Sequence, residues 1–337
     1  MSARDGLAEL GVARMAAYIF VVDEDNFELC VERGVCGCPR HEKPRINARA
    51  IADVAGIRAG ANIGFYVKGV GIYGFFKAKG PAFYDETLIW RNPDQVLPYR
   101  ALIEPTDSTF EKPIALSDLY DLADKDILWS WRGIVQRDCH PFTNMEAFEI
   151  LRLLHRSNPW ASSRKFVTNP YIPQDPKPLP IHIKADTSGR IVTEGGPEAF
   201  LMAWLLREFS GGKLKEIFGN YTDYINYVPT SYRKEMDILL LHETPEPHRV
   251  LTSCTIVELK AGKCETKDLS QIIRYEDWLV KKKCSGDSGM VRSIIVAHHF
   301  DSNVVSYVRQ RAEIEGRIVK LVKYTCANST LKLEDFM

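Results

Sequence analysis

The sequence predicts two domains: a small β-barrel in the first half, then a mixed α/β sheet flanked by helices. Three observations predict this. Several short apolar strands with few helices fill the first 157 residues. A proline-rich stretch follows, with Pro170, Pro173, Pro176, Pro178 and Pro180 interleaved with polar residues. Beyond it the pattern becomes helix, three strands, helix, strand, helix, strand, the order of a mixed sheet covered by helices. A length of 337 residues suits two domains.

The first half begins with an apolar strand at 18–22 and a short helix at 28–33, followed by a turn at 34–37. Strands follow at 63–67, 69–80 and 97–105, each rich in aromatic or β-branched residues and bounded by glycine or proline. The half closes on a helix from about residue 144, announced by Thr143 and Glu146 at capping-box spacing. The prolines that come next forbid a continuous helix, so 158–182 is expected as an extended linker between domains 1–157 and 183–337.

The second half opens with a helix at 196–209, with Pro197 in its first turn and Gly211-Gly212 stopping it. A short strand at 224–229 ends on proline. Strands at 235–241 and 251–260 follow, then an amphipathic helix at 268–279, whose Leu269, Ile272, Ile273, Tyr275 and Leu279 recur at helical spacing. A buried strand at 291–300, a helix at 302–315 and a last strand at 318–322 complete the set.

Composition narrows the partners. Lys+Arg and Asp+Glu are both 44, so the formal net charge is zero. That argues against indiscriminate coating of nucleic acid and leaves room for a local basic face, which Lys281-Lys282-Lys283, Arg274 and Lys267 could supply, although a solvated surface run is the preferred reading of the lysine triplet taken alone. No signal peptide and no membrane-spanning apolar run is evident, so the expected location is cytoplasmic with no membrane partner. Eight cysteines do not read as a disulfide framework in a chain of this type. Cys36, Cys38 and His41 invite zinc, with Cys139-His140 as distant partners. Their spacing is not that of a finger pair, and small apolar cysteines in a turn are the preferred reading. His298-His299 at a strand end is read as structural.

The chemistry concentrates in the second half. Asp237 stands just before the apolar run 238–241, and Glu258 and Lys260 end another one. Side chains alternate along a strand, so Glu258 and Lys260 share a face. An acid and a lysine at a strand end usually form a solvated edge. Here the preceding run 251–257 reads as a buried central strand, where charge is costly unless used. Two carboxylates and an ammonium converging there would hold Mg²⁺, or Mn²⁺, and a water against a phosphodiester. The carbonyl of Leu259 is a third candidate ligand. Gln271 and Arg274 share a face of the next helix.

The order acid–strand–turn–strand with Glu258 and Lys260–helix with Gln271, Arg274 and Tyr275 resembles the PD-(D/E)XK nuclease superfamily, most closely its RecB-like and archaeal mismatch-endonuclease branch. The resemblance covers about the last half of the chain. The usual Pro-Asp dipeptide reads Met236-Asp237 here. It implies a restriction-endonuclease-like sheet, with Asp237, Glu258, Lys260 and Gln271 catalytic. A further acid from the first helix is implied, with Glu198 placed ahead of Glu208. Arg274 would contact a phosphate, Tyr275 would pack beside the metal, and Lys281 would extend the nucleic-acid surface.

The first half resembles PUA-like barrels of the EVE and YTH branch. The matching marks are the strand at 18–22, Gly34-Val35-Cys36 at a small-residue turn, the glycine turn and strand at 60–68, Gly71-Ile72-Tyr73-Gly74-Phe75, and the helix after His140-Pro141. These families hold a modified base in an aromatic cage. The position that often carries a cage tryptophan is Cys36 here. Trp90, Trp129 and Trp131 are the candidate cage residues, with Tyr73 and Phe83 next; ordinary core aromatics are the alternative for each.

Together these readings predict a Mg-dependent endonuclease on double-stranded DNA, directed by a modified or abnormal base. A homodimer is expected, because cutting both strands with single-site subunits calls for two sites. One alternative is a mismatch or branched-DNA endonuclease whose barrel only docks. Another is a non-catalytic nucleic-acid-binding module, perhaps RNA-directed.

Overall fold

The structure is a computed structural model. It describes residues 17–91, 96–107, 109–125, 127–128, 137–159, 166–230, 234–244, 250–327 and 330–337. Two compact units divide the chain. One holds residues 1–42 and 53–180, the other 43–52 and 181–337.

The first unit contains β1 (Ala17–Val22), α1 (Glu24–Arg33), β2 (Val35–Cys38), β3 (Asn62–Val67), β4 (Gly71–Ala78), β5 (Phe83–Tyr84), β6 (Tyr99–Glu104), β7 (Ile114–Ala115), α3 (Leu116–Asp124), β8 (Cys139–Phe142), α4 (Asn144–Ser157) and β9 (Lys177–Pro178). The helix α2 (Pro44–Ala55) is cut by the division between units. The strands form a curled half-barrel in the order β8-β1-β3-β4-β6-β5-β9, with β2 on β6 and β7 on β4. β1 and β3 run parallel while the other pairs are antiparallel, so the sheet is mixed. Ile19, Phe75, Ile114, Phe142 and Leu154 lie in the core beneath it.

Local chemistry explains the element ends. Asp23 accepts the Asn26 backbone N–H at 2.8 Å, so α1 starts at Glu24 rather than at 28. Gly34, in the left-handed region at φ 63°, reverses the chain by itself. Val35–Cys38 is therefore a strand paired with β6 and not the expected turn. The capping box on α4 is formed: Glu146 N donates to Thr143 Oγ1 at 3.2 Å, and Thr143 N donates to Glu146 Oε2 at 3.0 Å.

Most of the proline-rich stretch is packed on the first unit, where the sequence reading expects a linker at 158–182. The N–H groups of Val167, Asn169 and Tyr171 donate to the carbonyls of Val31, Glu32 and Arg33. β9 pairs with β5. Tyr171 also accepts from Arg100 Nη1 at 3.0 Å and donates to Asp85. Arg100 is fully buried, and Asp85 stands 3.4 Å from it. A buried guanidinium needs both partners to offset its lost hydration. Proline excludes helix but permits an added edge strand, and the stretch takes that option.

The second unit holds α5 (Pro197–Ser210), α6 (Lys215–Phe218), β10 (Asp223–Pro229), β11 (Glu235–Glu243), β12 (Leu251–Cys264), α7 (Thr266–Lys282), β13 (Val291–Phe300), α8 (Ser302–Glu315), β14 (Val319–Ala327) and β15 (Thr330–Asp335). Its six strands lie in sequence order, β10 to β15. β10, β11 and β12 are antiparallel neighbours; β12, β13 and β14 are parallel, joined through α7 and α8; β15 returns antiparallel. Parallel neighbours require such crossovers. The strand β15 is absent from the sequence reading; Leu331 and Leu333 alternate with Thr330, Lys332 and Glu334 over only six residues, and as an edge strand it carries charge. β12 is central and runs four residues beyond the expected 260, with its pairing to β13 interrupted between Lys260 and Lys263.

Candidate active site

β11 and β12 bring the two acids together. Ile238 opposes Val257 in their antiparallel register, so one step further Asp237 opposes Glu258. Directly opposed residues of such a pair project to one face, with Cβ atoms about 5 Å apart. Lys260 stands on that face too. Asp237 Oδ2 accepts the Leu259 N–H at 2.8 Å, which ties the strand between Glu258 and Lys260 to the first acid. Lys260 Nζ donates to Glu258 Oε1 at 2.9 Å and lies 3.6 Å from Asp268 Oδ1.

The helix α7 supports this face. Gln271 Nε2 donates to Glu258 Oε1 and to the Tyr275 hydroxyl, both at 2.9 Å. Tyr275 donates in turn to the Glu235 carbonyl at 2.8 Å. Its ring is 1 % exposed, so Tyr275 braces the site from beneath and offers no ring face to a base. From α5, the exposed Glu198 accepts the Ala261 N–H at 3.3 Å, one residue beyond Lys260. Glu208, its runner-up, is held by Lys213 at 2.8 Å near the other end of α5.

Electrostatics show what this arrangement costs. Glu258 is 1 % exposed. Burial pushes its carboxyl up to about 7; Lys260 works against the shift, and Glu198 and Asp268 add to it. Asp237 is raised well above the usual carboxylate range, first by burial and then by Glu258. For Lys260, burial opposes the charge, but Glu258, Asp237 and Glu198 outweigh it and hold the ammonium pKa above its ordinary value. Lys260 is thus a fixed cation at neutral pH.

These residues fit one divalent cation. Glu258 Oε2 is buried and has no hydrogen-bond partner among the described residues. Such an orphaned carboxylate oxygen is costly unless something positive meets it. A second carboxylate faces it. Oxygen donors of this kind suit Mg²⁺ or Mn²⁺. No group of three or more His, Cys, Asp and Glu side chains poised for a metal occurs among the described residues, so the remaining ligands would be the Leu259 carbonyl and water.

Of the surface residues, Arg274 and Lys281 are exposed on α7. Glu276 does not pair with Arg274; it is taken by Arg311 at 2.6 Å and Arg317 at 2.8 Å. Two residues near the site escaped the sequence reading. Asp268 both approaches Lys260 and caps α7, accepting the Glu265 N–H at 2.9 Å. Arg49, on α2 and within the second unit, pairs with Glu235 at 2.6 Å and lies over the Tyr227 ring at 4.2 Å. The Asp268 role was signalled by Glu265 three residues earlier. Nothing local signals Arg49, some 190 residues from its partner.

In the first unit, Trp90 is 6 % exposed and sits 5.7 Å from the Arg100 guanidinium, as a core residue would. Tyr73 is half-buried and its ring lies 4.4 Å from that of Phe27. Trp129 and Trp131 lie outside the described residues. Cys36 and Cys38 are buried, free thiols, and His41 is paired with Asp138 at 2.6 Å. All eight cysteines are free. No described helix is long and apolar enough to cross a membrane.

No family model and no curated protein matches the chain. Among solved structures, it is similar to Protein Atu2648 from Agrobacterium tumefaciens, at 16 % identity and a TM-score of 0.29, over 44 % of this chain and 99 % of that one. A likeness at that score says nothing about fold or activity.

Proposed function

We propose that the second unit hydrolyses phosphodiesters of DNA with a divalent cation held by Asp237 and Glu258, as a PD-(D/E)XK-type endonuclease. One observation carries this reading: two opposed acidic side chains, with one Glu258 oxygen buried and unpartnered, beside a permanently charged lysine. A buried carboxylate oxygen left unpaired is costly, which favours a cation there.

A bound Mg²⁺ or Mn²⁺ supplies Lewis acidity and a more acidic water. The protein's own groups do the rest. Lys260, an ammonium, neutralises charge building on the phosphate and orients the attacking water; its raised pKa makes it a poor base. Gln271 holds Glu258 in place through Oε1 and leaves Oε2 free. Water oxygen bonds to phosphorus as one of its protons passes to bulk solvent, one bridging P–O bond breaks, and the leaving oxygen takes a proton from solvent.

The first unit, on this reading, is a PUA-like base reader that directs cutting to a modified or abnormal base. Its support is the motif order together with the half-barrel sheet. The enzyme would act in the cytoplasm, which eight free thiols favour, and as a homodimer on duplex DNA. The deciding experiment is cleavage with Mg²⁺ of plain, mismatched and base-modified duplexes side by side. Selective cutting of the modified duplex supports the reading. Equal cutting of mismatched and modified duplexes would reduce the barrel to a docking element. No cutting of any duplex by the intact protein would sink it.

A further inference from the structure

The sheet of the second unit ends on β15, whose strand neighbour among the described residues is β14 alone. Just past the strand, Phe336 donates its N–H to the Leu321 carbonyl of β14 at 2.9 Å. Backbone groups alternate in direction along an antiparallel strand. Those of Leu331, Leu333 and Asp335 therefore point away from β14, along the outer edge. Such an edge is a template for another strand.

The side chains along it carry opposite charges on either side of Leu333. Lys332 and Glu334 are both exposed and share one face of the strand. Of the charges on β15, only Asp335 is in an ion pair among the described residues, with Lys320 at 2.8 Å. Leu331, buried, and Leu333, half-buried, take the other face. Antiparallel pairing of this edge with the same edge of a second copy, about a two-fold axis at Leu333, sets Lys332 of each copy opposite Glu334 of the other. Symmetry makes the match twice. Lys323 lies opposite Glu334 on β14, so a row of Lys323, Glu334 and the second copy's Lys332 alternates in sign. Leu333 meets its own copy, and the outward N–H and C=O groups of the two exchange hydrogen bonds. Sliding the pairing by two residues either way would set Lys332 against Lys332 or Glu334 against Glu334, and opposed like charges are unfavourable. An edge lysine ordinarily repels a second edge; in this one register it meets an acid.

We propose that β15 is an interface between two copies of this chain, which join edge to edge through antiparallel β15 strands in the register that pairs Lys332 with Glu334. The two six-stranded sheets then become one. A self-complementary patch of this kind is what a two-fold dimer requires. Pairing over six residues a side is small for an interface, so the dimer forms reversibly with concentration. The proposal rests on the nuclease reading only for its homodimer, and uses none of the catalytic residues.

Sedimentation velocity of the full-length protein at low salt, without metal or DNA, tests it. Reversible dimerisation across roughly two decades of protein concentration is expected. Lys332→Glu and Glu334→Lys should each weaken it by roughly tenfold or more, since each turns two attractive contacts into two repulsive ones. An equimolar mixture of the two variants should dimerise again, because every contact between positions 332 and 334 then joins opposite charges. Both side chains are exposed, so the melting temperature of each variant monomer should match that of the wild-type monomer. The interface is overturned by a wild type that stays monomeric, by a dimer that both variants leave intact, or by a mixture that stays monomeric. A monomer that still cuts DNA would overturn the interface alone, whereas a dimer that cuts no duplex would sink the nuclease reading alone.

Discussion

Asp237 grips the peptide of Leu259, the residue between Glu258 and Lys260, through a 2.8 Å hydrogen bond from its N–H. The contact fixes the spacing of the two acids through the backbone, independently of any bound ion. It also explains why the register of β11 against β12 matters: a one-residue slip would send Asp237 to the opposite face.

The first prediction follows from that geometry. Asp237→Ala, Glu258→Ala and Lys260→Ala should each remove detectable Mg²⁺-dependent cutting with the circular dichroism spectrum unchanged. Wild-type cleavage by any of the three would exclude that residue from the site.

Gln271 is a positioning residue, acting through Glu258 Oε1. Gln271→Ala should lower metal affinity by about 10- to 100-fold. The Mg²⁺ concentration for half-maximal cutting should rise; a fall in rate at saturating DNA with no change in metal dependence would argue against this role.

The raised carboxyl of Glu258 makes a pH prediction for the protein in EDTA. Its ordinary value is 4.5 and its folded value about 7. Between these the folded state keeps a proton that the unfolded state has lost, so this group's contribution to stability declines as pH rises through about 7. Asp237 shifts in the same direction. The melting temperature of the metal-free wild type should therefore fall more steeply between about pH 5 and about pH 8 than that of Glu258→Gln. Parallel slopes would contradict the burial cost described for this carboxylate.

Arg274 is exposed on the helix that carries Gln271. Arg274→Ala should weaken DNA binding evenly across sequences and reduce the salt slope of log K by about 1. An unchanged slope measured by fluorescence anisotropy would remove it from the DNA surface.

Trp90 separates core from cage. Because it is buried beside Arg100, Trp90→Ala should cost about 3–5 kcal/mol of the first unit's stability. Trp129→Ala or Trp131→Ala should instead cost about 1–3 kcal/mol of preference for a modified duplex. Retained selectivity in both of the latter would point to a barrel that only docks.

The strand-helix order of the second unit was legible because its signals are local. Apolar runs mark β11, β12 and β13, and Gln271 and Tyr275 keep helical spacing on α7. Alternation alone put Glu258 and Lys260 on one face. In the first unit, the Thr143–Glu146 cap was equally readable. Contacts between segments distant in sequence were not. Nothing near Tyr171 announces that it completes the buried Arg100–Asp85 pair, so its stretch read as a linker. Nothing near Arg49 announces Glu235. The orphaned oxygen of Glu258 is likewise a property of packing, because whether a polar atom has a partner depends on what the rest of the chain brings to it. The sequence by itself determined which residues can bear charge on a buried strand. Only the tertiary structure decided which of those charges are neutralised, because pairing depends on distance in space.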